Sequence, residues 1–143
     1  MVKVCVAGKF DPLLRGHLDH IKKAKALGDY LVVITHPDDV VVKARLREGK
    51  KGICVIPLAD RIAVLESLKW VDEVVVSVDG NGECAETLRL IRPQIFAKGG
   101  DRTDDSRMPS GELTVCKEIG CEVRYGIGEL LTSSSETIQK NLK

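Results

Sequence analysis

Val2-Lys3-Val4-Cys5-Val6-Ala7-Gly8-Lys9-Phe10-Asp11-Pro12-Leu13-Leu14-Arg15-Gly16-His17 opens with a short apolar run that stops at Gly8. Such a run, flanked by a turn signal, has the pattern of a strand buried on both faces of a parallel sheet. Over 17–27, Leu18, Ile21, Ala24 and Leu27 recur at three-residue steps, with Lys22, Lys23 and Lys25 between them and Gly28 as the stop. This spacing predicts an amphipathic helix. Asp29 then leads into Tyr30-Leu31-Val32-Val33-Ile34-Thr35, a β-branched run that reads as a second buried strand. The opening is therefore βαβ.

The alternation continues outward from this unit. After His36-Pro37, residues 38–52 carry Lys43, Arg45, Arg47, Lys50 and Lys51 with little apolar patterning beyond 40–42. This stretch is expected to be a basic, mobile excursion. A helix over 57–68 presents Ile62, Leu65 and Leu68, and a strand follows over 71–78. Gly80-Asn81-Gly82 marks a turn, 84–91 a helix ended by Pro93, and 94–97 a strand running into Lys98-Gly99-Gly100-Asp101. A loop over 104–109, a helix over 111–119, a strand over 121–125 and a closing helix over 133–142 complete the chain. Alternating strands and helices imply an α/β, doubly wound, Rossmann-like parallel sheet with helices on both faces, in one domain over 1–143. Ligands in such sheets bind beyond the carboxyl ends of the strands, so the stretches that begin at Gly8, Thr35, Lys98 and Gly126 are where chemistry is expected.

The 143 residues and a net charge of +1 provide one core and no large single-sign field, which argues against a general nucleic-acid or membrane binder. No apolar run reaches the roughly 18 residues of a membrane span, and the N-terminus turns polar too soon for a signal peptide, so a cytoplasmic protein is expected. Five cysteines without a Cys-x-x-Cys pair signal neither a disulfide framework nor a protein-held metal. The phosphate loop of P-loop kinases is absent, as are the Ser-His-Asp order and the metalloprotease helix motif.

Gly8 lets a ligand approach the backbone, and His17 in the first turn of a helix stands where free N–H groups and the helix dipole favour phosphate. Without the surrounding pattern, His17 would more often be an ordinary helix-start residue. Asp11 reads as a turn residue or an acceptor-binding carboxylate, and Asp101 as a turn residue or a partner of ribose or base. His20 is expected to face solvent and His36 to meet substrate at a strand end. The basic run over 43–51 reads by default as a solvated face. Ser133, Ser134 and Ser135 cap a helix, which is compatible with phosphate binding.

The first of these stretches resembles the nucleotidyltransferase superfamily with the pattern G-x-F-D-x-x-H-x-G-H, which includes glycerol-3-phosphate cytidylyltransferases and the adenylyltransferase acting on heptose 1-phosphate. Gly8, Phe10, Asp11, Gly16 and His17 match. The resemblance extends over Leu27-Gly28-Asp29-Tyr30, Asp60-Arg61, Trp70-Val71-Asp72-Glu73-Val74 and the Lys98-Gly99-Gly100-Asp101 turn of the sugar-phosphate branch to Ser133-Ser134-Ser135 at the last helix. It implies transfer of a nucleoside monophosphate from CTP or ATP to a small phosphorylated metabolite of sugar or glycerol phosphate type, with Mg²⁺ on the nucleotide phosphates and a homodimeric protein. It further implies His17 and Lys43 as catalytic residues. Nucleotide contacts fall to Gly8, Lys9, Phe10, Gly16, His17, Lys98, Gly99, Asp101, Ser133, Ser134 and Ser135, and acceptor contacts to Asp11, His36, Asp38 and Arg61.

Two positions depart from the pattern. Leu14 stands where the family has its first histidine, which removes one phosphate donor; a loss of this kind costs on the order of 100- to 1,000-fold in rate. The outcomes are a slow enzyme, an enzyme in which Arg15 substitutes, or a silent nucleotide-binding protein. The second departure is Glu129-Leu130-Leu131-Thr132, which replaces the R-T-E-G run of the cytidylyltransferase branch and its phosphate-contacting arginine.

Overall fold

A computed structural model describes residues 1–100 and 104–128, with the backbone alone for Arg107. The described strands are β1 (Lys3–Ala7), β2 (Tyr30–Thr35), β3 (Glu73–Val76), β4 (Ile95–Ala97) and β5 (Glu122–Arg124). Interleaved with them are α1 (Arg15–Lys25), α2 (Asp38–Arg47), α3 (Leu58–Glu66), α4 (Ala85–Ile91) and α5 (Ser110–Ile119). All strand pairs are parallel and the sheet order is β3-β2-β1-β4-β5. Winding outward from β1 to β3 and returning to β4 on the other side of β1 creates a switch point between β1 and β4, beside which a crevice opens.

The two-residue period of the strands divides the core into two layers. Val4, Val6, Leu31, Val33, Ile95 and Ala97 face Ile21 and Ala24 of α1 and Leu65 of α3. Their neighbours Cys5, Val32, Ile34 and Phe96 face Leu88 of α4 and Val115 and Cys116 of α5. Strands that are apolar on both faces are what a sheet covered by helices on both sides demands. All five cysteines are free, and four of them, Cys5, Cys84, Cys116 and Cys121, are buried as small apolar side chains.

The expected basic excursion is corrected to a helix. Val40, Val41 and Ala44 of α2 are buried, as is Arg45, so the segment has apolar anchors at helical spacing inside its basic composition. Residues 105–107 form a short 3₁₀ turn within the expected loop. The closing helix expected over 133–142 lies outside the described residues.

Candidate active site

The loop between β1 and α1 is shaped by a glycine and an aromatic ring. Phe10 has a positive φ of 50°, a conformation most residues avoid. Its ring lies over Gly8, where a Cβ would fall 2.9 Å from Phe10 Cζ. The ring is 4% exposed and meets the His17 imidazole edge-on, with centroids 5.3 Å apart. The Gly-x-Phe spacing therefore serves packing: Gly8 admits the ring, and the ring orients His17. Phe10 as a nucleotide contact is corrected to a core residue for this reason. The Leu14 backbone N–H donates to His17 Nδ1 at 3.0 Å. That bond requires a lone pair on Nδ1, which puts the proton of the neutral ring on Nε2. Burial, with a contribution from His20, holds the His17 pKa down to about 4, so the residue offers a neutral N–H donor at pH 7.

Beneath the loop lies a buried polar network. Asp11 is wholly buried, and its carboxylate accepts from Arg45 Nη1 at 2.6 Å, from Val55 N–H at 2.8 Å and from Ile56 N–H. Arg45 also donates to the Asp11 carbonyl and to the Ile53 carbonyl. Arg61, 2% exposed, donates to the carbonyls of Lys9 and Ile56, to Thr35 Oγ1 and to Asp38 Oδ1. The acceptor-binding roles expected of Asp11 and Arg61 are corrected accordingly, because no face of either side chain is left for a ligand. They fix the loop, β2 and the 53–56 segment to one another. Asp38 is held in the same network by Arg61 at 2.6 Å.

At the carboxyl ends of β1, β2 and β4 a cleft of about 540 Å³ opens, within the size range of small-molecule sites. Its floor includes Gly8, Lys9, His36 and Lys98; one wall is Val40, Val41, Ala44, Arg47 and Glu48 of α2 and its end, and the far wall includes Cys84 and Glu112. Three cationic side chains thus reach one space, Lys9 with Glu48 at 3.0 Å, Arg47 donating to the Asn81 carbonyl, and Lys98 with Glu112 at 3.8 Å. The His36 ring is 5% exposed, and burial together with Lys9 pushes its pKa down to about 4.

The cytidylyltransferase-like family pattern matches residues 5–139, nearly the whole chain. The chain belongs to that family. Among relatives, the FAD synthase of Pyrococcus abyssi is 36% identical over 122 residues, 85% of this chain and 76% of that protein. The FAD synthase of Methanothrix thermoacetophila is 33% identical over 145 aligned positions, covering 100% and 95%. The bifunctional protein HldE of Methylococcus capsulatus is 39% identical over 121 residues, 85% of this chain but 24% of that protein. Among solved structures, a lipopolysaccharide core biosynthesis protein from Thermoplasma volcanium superposes with a TM-score of 0.71 at 27% identity, covering 91% of this chain and 99% of that one. The chain is a nucleotidyltransferase with the doubly wound fold read from its sequence.

In this cytidylyltransferase-like protein the cleft gathers Gly8, Lys9, His36 and Lys98 from the expected set. His17 and Gly16 are not among the lining residues; His17 lies in the first turn of α1 against the Phe10 ring that covers Gly8, and Gly99 follows Lys98 past the end of β4. Lys43 is absent from the cleft lining, its side chain 65% exposed and paired with Asp39 at 3.9 Å, whereas Arg47 of the same helix lines it. His20 is part-buried, with Nδ1 2.5 Å from the Ile127 carbonyl oxygen, rather than turned to solvent. Asp101, Ser133, Ser134 and Ser135 lie outside the described residues. Sequence reasoning missed Arg47 and Glu112. Arg47 was legible only once α2 was read as a helix, since it then follows Val40 and Ala44 along one face. Glu112 in the first turn of a helix looks like a dipole-complementing residue, and that ordinary role masks the other.

Proposed function

We propose that this nucleotidyltransferase adenylylates FMN with ATP to give FAD and pyrophosphate. The observation that carries the reading is the cleft itself: Val40, Val41 and Ala44 line it together with the cations Lys9, Arg47 and Lys98. A tricyclic flavin ring needs an apolar surface, and a phosphate needs cations. The FAD synthase relatives support the same acceptor, since this chain spans 76% and 95% of their lengths but only 24% of the HldE relative. They weigh against the sugar or glycerol phosphate suggested by the Lys98-Gly99-Gly100-Asp101 turn. FAD is FMN joined to AMP through a pyrophosphate link, which identifies ATP as the donor.

In the reaction a phosphate oxygen of FMN attacks the α-phosphorus of ATP. The new P–O bond forms as the bond to the bridging α–β oxygen breaks, and pyrophosphate departs with that electron pair. Such transfers depend on in-line positioning and on neutralising phosphate charge rather than on covalent participation by the protein. The His17 Nε2–H, Lys9 and Lys98 supply donors to phosphate oxygens, and the 2.6–2.8 Å network around Asp11 keeps the loop that presents two of them fixed. Among the described residues no cluster of His, Cys, Asp or Glu is suited to hold a metal; Mg²⁺ coordinated by phosphates and water needs no such cage. Bound in that way, Mg²⁺ neutralises phosphate charge. A homodimer remains part of the proposal on the family resemblance, with sedimentation velocity as its check.

The test is pyrophosphate release from ATP or CTP with FMN, glycerol 3-phosphate or heptose 1-phosphate, with products resolved by chromatography. FAD is expected from ATP and FMN. Release confined to CTP, or to a sugar or glycerol phosphate, overturns the reading.

A further inference from the structure

Among the described residues, the buried side-chain atoms without a hydrogen-bond partner are His36 Nδ1, Arg45 Nε and Glu112 Oε1. Glu112 is the least expected, because it is a carboxylate only 3% exposed. Its other oxygen is anchored: the Cys84 N–H donates to Oε2 at 3.1 Å, with the Cys84 thiol at 3.4 Å. This joins the first turn of α5 to the start of α4. The free oxygen faces Lys98 Nζ at 3.8 Å, and the ammonium also lies 4.5 Å from the centroid of the Phe96 ring.

A purely structural role explains this arrangement poorly. Burying a carboxylate oxygen without a hydrogen bond is unfavourable, and an apolar side chain of similar volume would fill the site without that penalty. The ammonium, by contrast, gains a great deal from it. The backbone of Lys98 is fixed on both sides, its N–H on the Arg124 carbonyl at 2.8 Å and its carbonyl under the Ile127 N–H at 3.0 Å. The four-carbon stem beyond it is flexible and costs entropy to hold. Glu112 and Phe96 are the groups that guide it. At 3.8 Å the pair attracts without forming a hydrogen bond, so the ammonium is localised while its N–H donors stay unspent among the described residues. A phosphate oxygen entering the cleft then collects those donors without breaking an existing bond.

We propose that Glu112 is a positioning residue that acts on ligand phosphate through Lys98. The proposal rests on the cleft being the site of the nucleotidyl transfer described above, and it concerns phosphate oxygens, whether those of ATP or those of FMN.

A double-mutant cycle on binding tests it. Calorimetric dissociation constants for ATP and for FMN are measured separately with the wild-type chain, Glu112→Gln, Lys98→Met and the double variant, with thermal unfolding recorded for each. Glu112→Gln keeps the shape and the Cys84 contact, so its melting temperature should stay near or above that of the wild type. Each single variant should weaken the same one of the two ligands about tenfold or more, the scale of one charge-assisted hydrogen bond. The double variant should bind no more weakly than Lys98→Met alone. Glu112→Asp, which keeps the charge but withdraws it by one methylene, should fall between wild type and Glu112→Gln and serves if the amide variant does not fold. Unchanged binding of both ligands by Glu112→Gln overturns the proposal, and so do effects of the two substitutions that multiply. If the wild type makes no FAD yet the cycle on ATP binding holds, the FMN reading alone fails.

Discussion

Arg45 Nη1 meets Asp11 Oδ2 at 2.6 Å with the two side chains 1% and 0% exposed, so a helix beyond β2 is bolted to the loop after β1 by a fully buried ion pair. Breaking one side of such a pair strands a charge in the interior. Arg45→Met should therefore lower stability by about 3–5 kcal/mol, read from urea unfolding at pH 7. A loss below about 1 kcal/mol, the scale of an exposed pair, would show that water reaches the site. Burial alone would raise the Asp11 pKa, but the N–H groups of Val55 and Ile56 and the Arg45 guanidinium hold it below 3.8. A depressed folded-state value makes this contribution complete above the unfolded pKa and removes it as pH falls below about 4. The stability difference between wild type and Asp11→Asn should shrink over that acid range.

The histidines set a second, higher window. His17 and His36 both titrate near 4 in the folded chain, against 6.5 when free. The unfolded chain binds protons first, so stability is complete above pH 6.5 and declines from there down through about pH 4. Urea midpoints measured at pH 7, 6 and 5 should fall in that order, with unchanged slope. Proton NMR titration should find His17 still neutral at pH 6; a midpoint near 6.5 would remove the argument for a neutral Nε2–H donor.

Leu14 is the one motif position where a polar donor gives way to an alkyl group. Leu14→His should raise the rate of pyrophosphate release, by a factor on the order of 10 to 100, and His17→Ala should reduce it by about 100-fold or more. The gain is bounded because an imidazole at this half-buried position loses charge to the extent that it is desolvated. Turnover that falls in Leu14→His with nucleotide affinity intact would mean that Leu14 belongs to the working site as it stands.

Lys43 and Arg47 lie one turn apart on α2 yet differ in reach. Lys43→Ala should change turnover by less than about twofold, as expected of an exposed surface pair. Arg47→Ala removes a cation of the cleft wall and should raise the acceptor KM by about tenfold, the worth of one charge-assisted contact. Steady-state kinetics on the two variants decide it, and the reverse ranking would return Lys43 to the site.

The fold was legible because its two central strands carry unbroken apolar runs. Val4-Cys5-Val6 and Leu31-Val32-Val33-Ile34 announce burial on two faces, and Gly28 ends the helix between them. The alternation then leaves few topologies. What could not be read was which polar residues turn inward. Asp11, Arg45 and Arg61 sit in a sequence context of loops and charge, and nothing local distinguishes them from solvated neighbours. Their burial comes from long-range partners, 34 residues apart for Asp11 and Arg45 and 52 for Arg61 and the Lys9 carbonyl. The motif assigned Asp11 and Phe10 to the ligand, because a motif records that residues occur together and is silent on whether they touch the substrate or one another. α2 was missed for a related reason: five basic residues between 43 and 51 outweighed Val40, Val41 and Ala44 in a reading based on composition.

The strand order has a consequence for how such a protein can be remade. Because the chain lays down β3, β2 and β1 on one side and crosses to β4 and β5 only through α4, Lys9, His36 and Arg47 all precede the crossing and Lys98 and Glu112 all follow it. The cleft is therefore stitched from two consecutive lengths of gene rather than from interleaved fragments. A single recombination point within α4 exchanges Lys98 and Glu112, leaves Lys9, His36 and Arg47 intact, and divides the far wall between Cys84 and Glu112. Chimeras joined there have to match the β1–β4 seam, the α4–α5 packing, the Cys84–Glu112 bond and the contact between His20 and the Ile127 carbonyl.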